Sequence, residues 1–85
     1  SIFEKAGDLF EKLKMDERAI DAYKKGHCFS RAVELARRVF PQYVEGLEES
    51  CADYLVSQKQ VDQAINHYIE AKKFSKAIQS AISAR

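Results

Sequence analysis

The feature that most constrains this chain of 85 residues is an internal repeat with a period of 45 residues and no gaps. The segment from Ala64 to Ala71 reappears in weaker form from Ala19 to Gly26. Other identical pairs keep the same offset: Asp8 and Asp53, Tyr23 and Tyr68, and Phe29 and Phe74. Periods of this size are typical of stacked helical units, each too small to bury its apolar face alone. The repeat predicts a single segment, residues 1–85, made of two units at about 2–40 and 41–85.

Apolar residues recur at three- and four-residue steps along most of the chain, which predicts amphipathic helices. Three glycines, one proline and no tryptophan favour helix over sheet. The predicted fold class is all-α: a tetratricopeptide-like α-solenoid fragment of about six antiparallel helices with short connections. The helices are predicted at about 2–13, 16–25, 30–40, 41–58, 61–71 and from 75 onward. The alternative is an ordinary helical bundle, but the repeated identities fall at packing positions.

Four residues predict how the first helices begin, end and pack. Asp16 and Ser30 are expected to cap the second and third helices, because their side-chain oxygens can accept hydrogen bonds from free backbone N–H groups. Gly26 is expected to take the left-handed conformation that ends the second helix. Gly7, inside the first helix, is expected to let a neighbouring backbone approach closely.

Each unit follows the tetratricopeptide pattern, in which large side chains of one helix seat over small residues of the next. The first unit matches in order, whereas the second has Glu48 where an aromatic residue is usual. A third helix, from Phe29 and from Phe74, makes each unit longer than the standard repeat of about 34 residues. The predicted repeat-packing residues are Phe3, Gly7, Phe10, Ala19, Tyr23, Gly26, Phe29, Ala32, Ala52, Leu55, Ala64, Tyr68, Ala71, Phe74 and Ala77.

Residues that could carry chemistry are isolated in the sequence. His27 beside Cys28 has no further ligands at zinc spacing, so no metal site is predicted. Glu48 and Glu49 are expected on an exposed helix face as solvating charges rather than as a catalytic carboxylate pair. There is no phosphate-binding glycine loop and no serine nucleophile motif. The sequence therefore predicts no catalytic, cofactor-binding or metal-binding residues and no enzyme activity.

Charge and cysteine content bear on partners and compartment. Fourteen basic and thirteen acidic residues give a net charge of +1, so no overall field draws the chain to nucleic acid or to a membrane. Two isolated cysteines suit a reducing compartment, and no apolar run approaches the roughly 20 residues that span a bilayer. The chain starts at Ser1, and the helical pattern still runs at Arg85. We expect an excised segment that could self-associate through its cut repeat ends.

One set of basic residues forms a candidate partner-binding strip. Its members are Lys24, Lys25, Arg37 and Arg38, with Arg31 among them. Asp21 and Glu34 interrupt the strip, and no exposed aromatic residue is expected between the bases, which argues against nucleic acid and acidic lipid. Capture of a peptide carboxylate needs several Lys and Asn residues, but Asn66 is the one Asn in the chain. Protein subunits are therefore the expected partners.

Several segments together resemble one family. They are residues 6–12, 32–37, 40–41, 47–49 and, most specifically, 58–71, where residues that do not pack, such as Gln58, Asn66 and His67, take part. Over nearly its whole length the chain resembles a large subunit of the intraflagellar transport proteins, which combine N-terminal β-propellers with a long helical solenoid.

This resemblance implies a non-catalytic scaffold within the intraflagellar-transport B complex, needed for ciliary assembly and transport. It implies a location in the cilium and cytoplasm, at the ciliary base and axoneme. Its partners would be other protein subunits of the transport complex, with no nucleic acid, no membrane insertion and no cofactor. Two alternatives stay open: a vesicle-coat solenoid similar to coatomer or clathrin, and a stand-alone tetratricopeptide module that binds peptides.

Overall fold

The computed structural model describes residues 1–83, and these residues form six α-helices and one short 3-10 turn, with no strand. The helices are α1 (Ile2–Lys12), α2 (Asp16–Lys25), α3 (Phe29–Val39), α4 (Val44–Ser57), α5 (Val61–Glu70) and α6 (Phe74–Ser83). The 3-10 turn, Pro41–Tyr43, occupies the place where the sequence predicted the start of the fourth α-helix. The all-α prediction of about six helices is confirmed.

The chain divides into two compact units. Unit 1 is Ser1–Val44, and unit 2 begins at Glu45. The repeat boundaries at 2–40 and 41–85 stay a prediction.

In unit 1, α2 packs against both α1 and α3. The buried apolar residues of α2 and α3 are Ala19, Ile20, Ala22, Tyr23, Phe29, Ala32, Val33, Leu35 and Ala36. Gly7 is the buried residue of α1 and faces the ring of Tyr23. The small residues allow the helix axes to come close, so that one large ring fills the space between them.

Unit 2 contains the equivalent core. Ala52, Ala64, Tyr68 and Ala77 form a buried cluster, with Leu55 and Ile65 packed partly buried against it. The four buried residues come from α4, α5 and α6, and they stand 45 positions after Gly7, Ala19, Tyr23 and Ala32. The repeat in the sequence is therefore a repeat of side-chain packing.

Four of the helix connections share one backbone geometry. A residue with positive φ follows α1, α2, α4 and α5, at Lys14 (61°), His27 (58°), Lys59 (62°) and Lys72 (61°). The next residue donates its backbone N–H to a carbonyl five residues earlier, as Met15 does to Phe10 and Cys28 does to Tyr23, both at 2.8 Å. This is the Schellman motif, which satisfies carbonyl groups at a helix end. The positions form two pairs that are 45 residues apart, so the turns repeat as the helices do.

The prediction that Gly26 is left-handed is wrong. Its φ is −88°, and the left-handed residue is the following His27. Glycine is needed at position 26 for a steric reason, because a Cβ there would lie 2.7 Å from the Cβ of Phe3. The glycine allows the end of α2 to approach the start of α1 closely.

The predicted helix caps are also wrong. Asp16 is the first residue of α2, and Ser30 is the second residue of α3, so neither side chain caps a helix. Met15 and Cys28 occupy the cap positions, and neither side chain makes a capping hydrogen bond. Each of them is already the last residue of a Schellman turn, so the next helix begins at once and no separate capping residue is used.

Candidate functional site

A polar network lies on the outer side of the core in unit 1. The hydroxyl of Tyr23 lies 2.7 Å from Asp8 Oδ1 and 2.6 Å from Glu11 Oε1. Arg31 of α3 donates to Glu4 at 3.2 Å, to Asp8, and to the Tyr23 hydroxyl at 3.0 Å. The Arg31 guanidinium also lies 4.9 Å from the centre of the Tyr23 ring. The network ties all three helices of the unit together through groups of opposite charge.

Unit 2 repeats this network. The hydroxyl of Tyr68 donates to Asp53 Oδ1 at 2.5 Å. Lys76 Nζ donates to Glu49 Oε2 at 2.7 Å and lies 3.5 Å from Asp53. The Lys76 ammonium lies 5.6 Å from the centre of the Tyr68 ring. Each residue stands 45 positions after its counterpart in unit 1, with lysine in place of arginine.

The networks shift the ionisation of their members in the directions that their contacts require. Burial, followed by the hydrogen bonds to Glu11 and Asp8, raises the pKa of Tyr23. The hydrogen bond from Tyr23, with help from Arg31, lowers the pKa of Asp8. Burial and the hydrogen bond to Asp53 raise the pKa of Tyr68 to about 12. The fold thus favours the neutral form of both phenols and the ionised form of Asp8.

Alkaline pH is expected to destabilise the fold through Tyr68. Its pKa is about 12 in the fold, against about 10 in an unfolded chain. The neutral phenol therefore adds stability below about pH 10, and this contribution is lost as the pH rises from about 10 through about 12, by up to about 1.4 kcal/mol per pH unit. Urea unfolding at several pH values in this range measures the loss.

The matched variant is Tyr68→Phe, which keeps the ring and removes the ionisable hydroxyl. Other groups titrate in both proteins, so only the difference between the two pH profiles reports on Tyr68. The variant is expected to lose less stability over this range than the parent chain. Superimposable profiles would contradict the role given to the hydroxyl.

Sequence reasoning missed these networks as units. Arg31 was placed in the basic strip, but its guanidinium is bound to carboxylates of α1. The signal was present, because Glu4 and Glu49 are identical residues at the repeat offset, and Arg31 and Lys76 keep a base at the same offset. Applying the repeat to charged positions, as well as to apolar ones, would have indicated an ion pair conserved between the two units.

Glu48 corrects another prediction. It was expected on an exposed face, but it is only 5% exposed, because it lies one turn before the buried Ala52 on the inner side of α4. Its Oε1 lies 2.7 Å from Nδ1 of His67 on α5, which pairs the buried carboxylate with an imidazole.

Burial, with a contribution from the charge of Glu48, raises the pKa of Cys51. This shift is opposite to the lowered pKa of a nucleophilic thiolate.

The four bases of the predicted strip have exposed side chains. Arg38 Nη2 lies 3.4 Å from Glu11 Oε2, so its charge is partly balanced within unit 1. Lys25 lines a shallow groove between α1 and α2 that also contains Asp21. The role of Lys24, Lys25, Arg37 and Arg38 in binding a partner stays a prediction.

The predicted repeat-packing residues differ in exposure. Ten of them are buried: Gly7, Ala19, Tyr23, Phe29, Ala32, Ala52, Ala64, Tyr68, Ala71 and Ala77. Phe10, Gly26 and Leu55 are partly buried. Phe3 and Phe74 are exposed at 46% and 56%, although Phe29, the counterpart of Phe74, is only 8% exposed.

Two helices present exposed apolar faces. The α1 face consists of Ile2, Leu9 and Leu13, and the α6 face consists of Phe74, Ile78 and Ile82. Three of their counterparts in the other unit are buried apolar residues: Leu47 for Ile2, Phe29 for Phe74, and Val33 for Ile78. The counterparts of Leu13 and Ile82 are the exposed polar residues Gln58 and Arg37. These three positions are thus buried on α4 and α3 but exposed on α1 and α6.

Residues 1–83 contain neither a side-chain cluster that could hold a metal ion nor a helix that could span a membrane. No group of three or more His, Cys, Asp or Glu side chains in this range is placed to hold a metal ion. None of the helices described there is both long enough and apolar enough to cross a membrane.

Comparison with known proteins gives close relatives. The chain is 57% identical over 83 residues to the intraflagellar transport protein 172 homolog of Danio rerio, 55% identical over 84 residues to that of Homo sapiens, and 45% identical over 84 residues to intraflagellar transport protein 172 of Chlamydomonas reinhardtii. These alignments cover 98–99% of this chain but only 5% of each relative. No protein-family profile matches the chain.

Proposed function

We propose, from the premise that this chain is homologous to a segment of the intraflagellar transport 172 proteins, that it is a non-catalytic scaffold segment of an intraflagellar-transport B complex subunit. In this role it acts in the cilium and at the ciliary base, where the complex assembles and maintains the organelle. Its partners are other protein subunits of that complex, and it requires no cofactor, nucleic acid or membrane insertion.

The observation that carries this proposal is the pair of open apolar faces. Single exposed apolar residues are common on protein surfaces, but continuous faces are typical of surfaces that another element covers. Because the counterparts of Ile2, Phe74 and Ile78 are buried within this same chain, the open faces have the chemistry of repeat-to-repeat packing. They support a role as one part of a longer helical array, with self-association through these faces where they are left uncovered.

The polar networks support a mechanical role. In each unit, a base on the third helix binds carboxylates on the first, and a buried tyrosine from the second helix joins them. Such cross-links favour one arrangement of the three helices over sliding alternatives. A scaffold needs this property, since it transmits position rather than catalysing a reaction.

The test is co-precipitation of the epitope-tagged protein from ciliated cells, with identification of the recovered subunits by mass spectrometry. We expect intraflagellar transport subunits with the parent protein. If the basic strip makes the contact, a variant with Glu at positions 24, 25, 37 and 38 is expected to recover at least tenfold less of these transport subunits than the parent protein. The matched control places Glu at positions 5, 12, 14 and 59, which are also exposed lysines.

The outcomes separate two claims. Absence of transport subunits from a folded parent protein contradicts the assembly role. Equal recovery with the strip variant and the control contradicts the basic strip as the contact and leaves the apolar faces as the candidate.

A further inference from the structure

Unit 2 contains a groove among its three helices. It has a volume of about 360 Å³ and lies between α4, α5 and α6 beside the second polar network. Its lining includes Asp53, Val56, Tyr68, Lys76, Ser80 and Ser83. This volume is at the lower end of the range for ligand sites, about 300–1,000 Å³, and is sufficient for one or two side chains.

Unit 1 shows what occupies the equivalent space. Glu11 lies there, with Oε1 2.6 Å from the Tyr23 hydroxyl and Oε2 3.4 Å from Arg38 Nη2. Leu35 adds a side chain that is only 1% exposed. At the repeat offset, unit 2 has smaller residues in these three places: Val56, Ser80 and Ser83. The groove is therefore the space left by three side chains that unit 1 supplies from its own sequence.

The two networks also differ in charge, because the network of unit 2 contains fewer carboxylates. In unit 1, three carboxylates face two guanidinium groups: Glu4, Asp8 and Glu11 with Arg31 and Arg38. In unit 2, two carboxylates face two ammonium groups: Glu49 and Asp53 with Lys73 and Lys76. Relative to the network of unit 1, the network around Lys76 has the same number of cations and one carboxylate fewer, the one that Glu11 provides. Lys72 and Glu45 form a separate ion pair in unit 2.

We propose that this groove binds the carboxylate of a glutamate or aspartate side chain from a partner protein, in the place that Glu11 takes in unit 1. Lys76 is 46% exposed on its side chain and has three N–H donors, two of which the nearby carboxylates can use. The hydroxyls of Ser80 and Ser83 offer further donors, and Val56 forms an apolar wall for the methylene groups of the incoming side chain. An acidic segment of a protein thus fits the groove in both charge and shape.

The test is an NMR titration of the ¹⁵N-labelled chain with the capped tripeptide acetyl-Gly-Glu-Gly-amide, against its Gln counterpart at equal ionic strength. We expect saturable shifts of amide signals around Tyr68, Lys76 and Ser80, with a Kd of about 1 mM for so small a ligand. The Gln peptide is expected to bind at least tenfold more weakly. A Lys counterpart is expected to produce no saturable shift at the groove.

Two variants copy unit 1 and close the groove from within. Val56→Glu supplies the missing carboxylate, and Ser80→Leu fills the space without adding charge. Each is expected to weaken binding of the Glu peptide at least tenfold. The matched control is Val39→Glu, because Val39 and Val56 are both 39% exposed on helix surfaces. This control is expected to bind as the parent chain does, and circular dichroism compares the folding of all three variants.

The proposal is overturned if the Glu peptide gives no saturable shift, if the Gln or Lys peptide binds as well, or if the variants that remain folded bind as the Val39→Glu control does. The peptide titration is independent of the co-precipitation. A groove that binds carboxylate while transport subunits are absent would refute the assembly role alone, and the reverse result would refute the groove alone.

Discussion

Replacing Tyr23 with alanine is expected to lower the free energy of unfolding by about 3–5 kcal/mol, the usual cost of deleting a buried aromatic side chain. Tyr23 is 0% exposed, and its hydroxyl is bound within the network of unit 1. A domain of this length has a total stability of roughly 4–13 kcal/mol, so the loss is a large fraction of the whole. Urea unfolding followed by circular dichroism measures it.

Two further variants show which part of Tyr23 matters. Tyr23→Phe keeps the ring and removes only the hydroxyl, so it is expected to cost about 1.5–3 kcal/mol, the range for hydrogen bonds to charged groups. Tyr43→Ala is the matched control, because Tyr43 is 38% exposed and is expected to cost less than about 1 kcal/mol. A Tyr23→Ala variant as stable as Tyr43→Ala would contradict the placement of this ring in the core.

The second large effect is expected at Gly7. A Cβ on this residue would lie 2.6 Å from Cδ1 and 2.7 Å from Cζ of the Tyr23 ring, closer than real carbon atoms approach. Gly7→Ala is therefore expected to destabilise the fold by about 1–3 kcal/mol, although alanine is the better helix former by about 1 kcal/mol. Overpacking exceeds propensity here because the ring is buried and held at its hydroxyl.

Gly46→Ala is the matched control on α4. Apart from its chain neighbours and the adjacent backbone of α4, no atom of residues 1–83 lies within 4 Å of the position that its Cβ would take, and the residue is exposed. This variant is expected to stabilise the chain by about 0.5–1 kcal/mol, the gain from helix propensity alone. Opposite signs for the two glycine substitutions in urea unfolding are the expected result. Equal signs would mean that the contact between Gly7 and Tyr23 does not decide the outcome.

The different roles of these glycines could be predicted only in part from the sequence. Gly7 was predicted to let a neighbouring backbone approach, whereas the group that lies against it is the side-chain ring of Tyr23. The repeat register indicated a small residue there, since unit 2 has the buried Ala52 at the same position. Gly46 has no such counterpart, and its open surroundings became clear only in the fold. The same limit applied to Gly26, for which local propensity predicted a left-handed turn. The close approach of Phe3, a residue far away in sequence, explains the glycine instead.

The candidate functional residues also include some that the sequence predicted and others that only the structure revealed. The basic strip was predicted from the sequence, and although each of its four bases is exposed, their role as one binding surface stays a prediction. The buried pair of Glu48 and His67 was not predicted, because two polar side chains on different helices gave no periodic signal of burial. The groove in unit 2 was missed for a further reason. Its existence depends on three side chains being smaller than their counterparts in unit 1, and their convergence on one space is a property of the packed helices.

The sequence by itself determined that this chain is all-α, that it repeats every 45 residues, and where its small packing residues lie. It could do so because helix periodicity and an ungapped register are properties of neighbouring or regularly spaced residues. Only the tertiary structure decided the left-handed turn at His27, the burial of Glu48 and the two networks around Tyr23 and Tyr68. These depend on which side chains meet across helices, and charged groups are brought together there by the packing of the alanines and tyrosines beneath them.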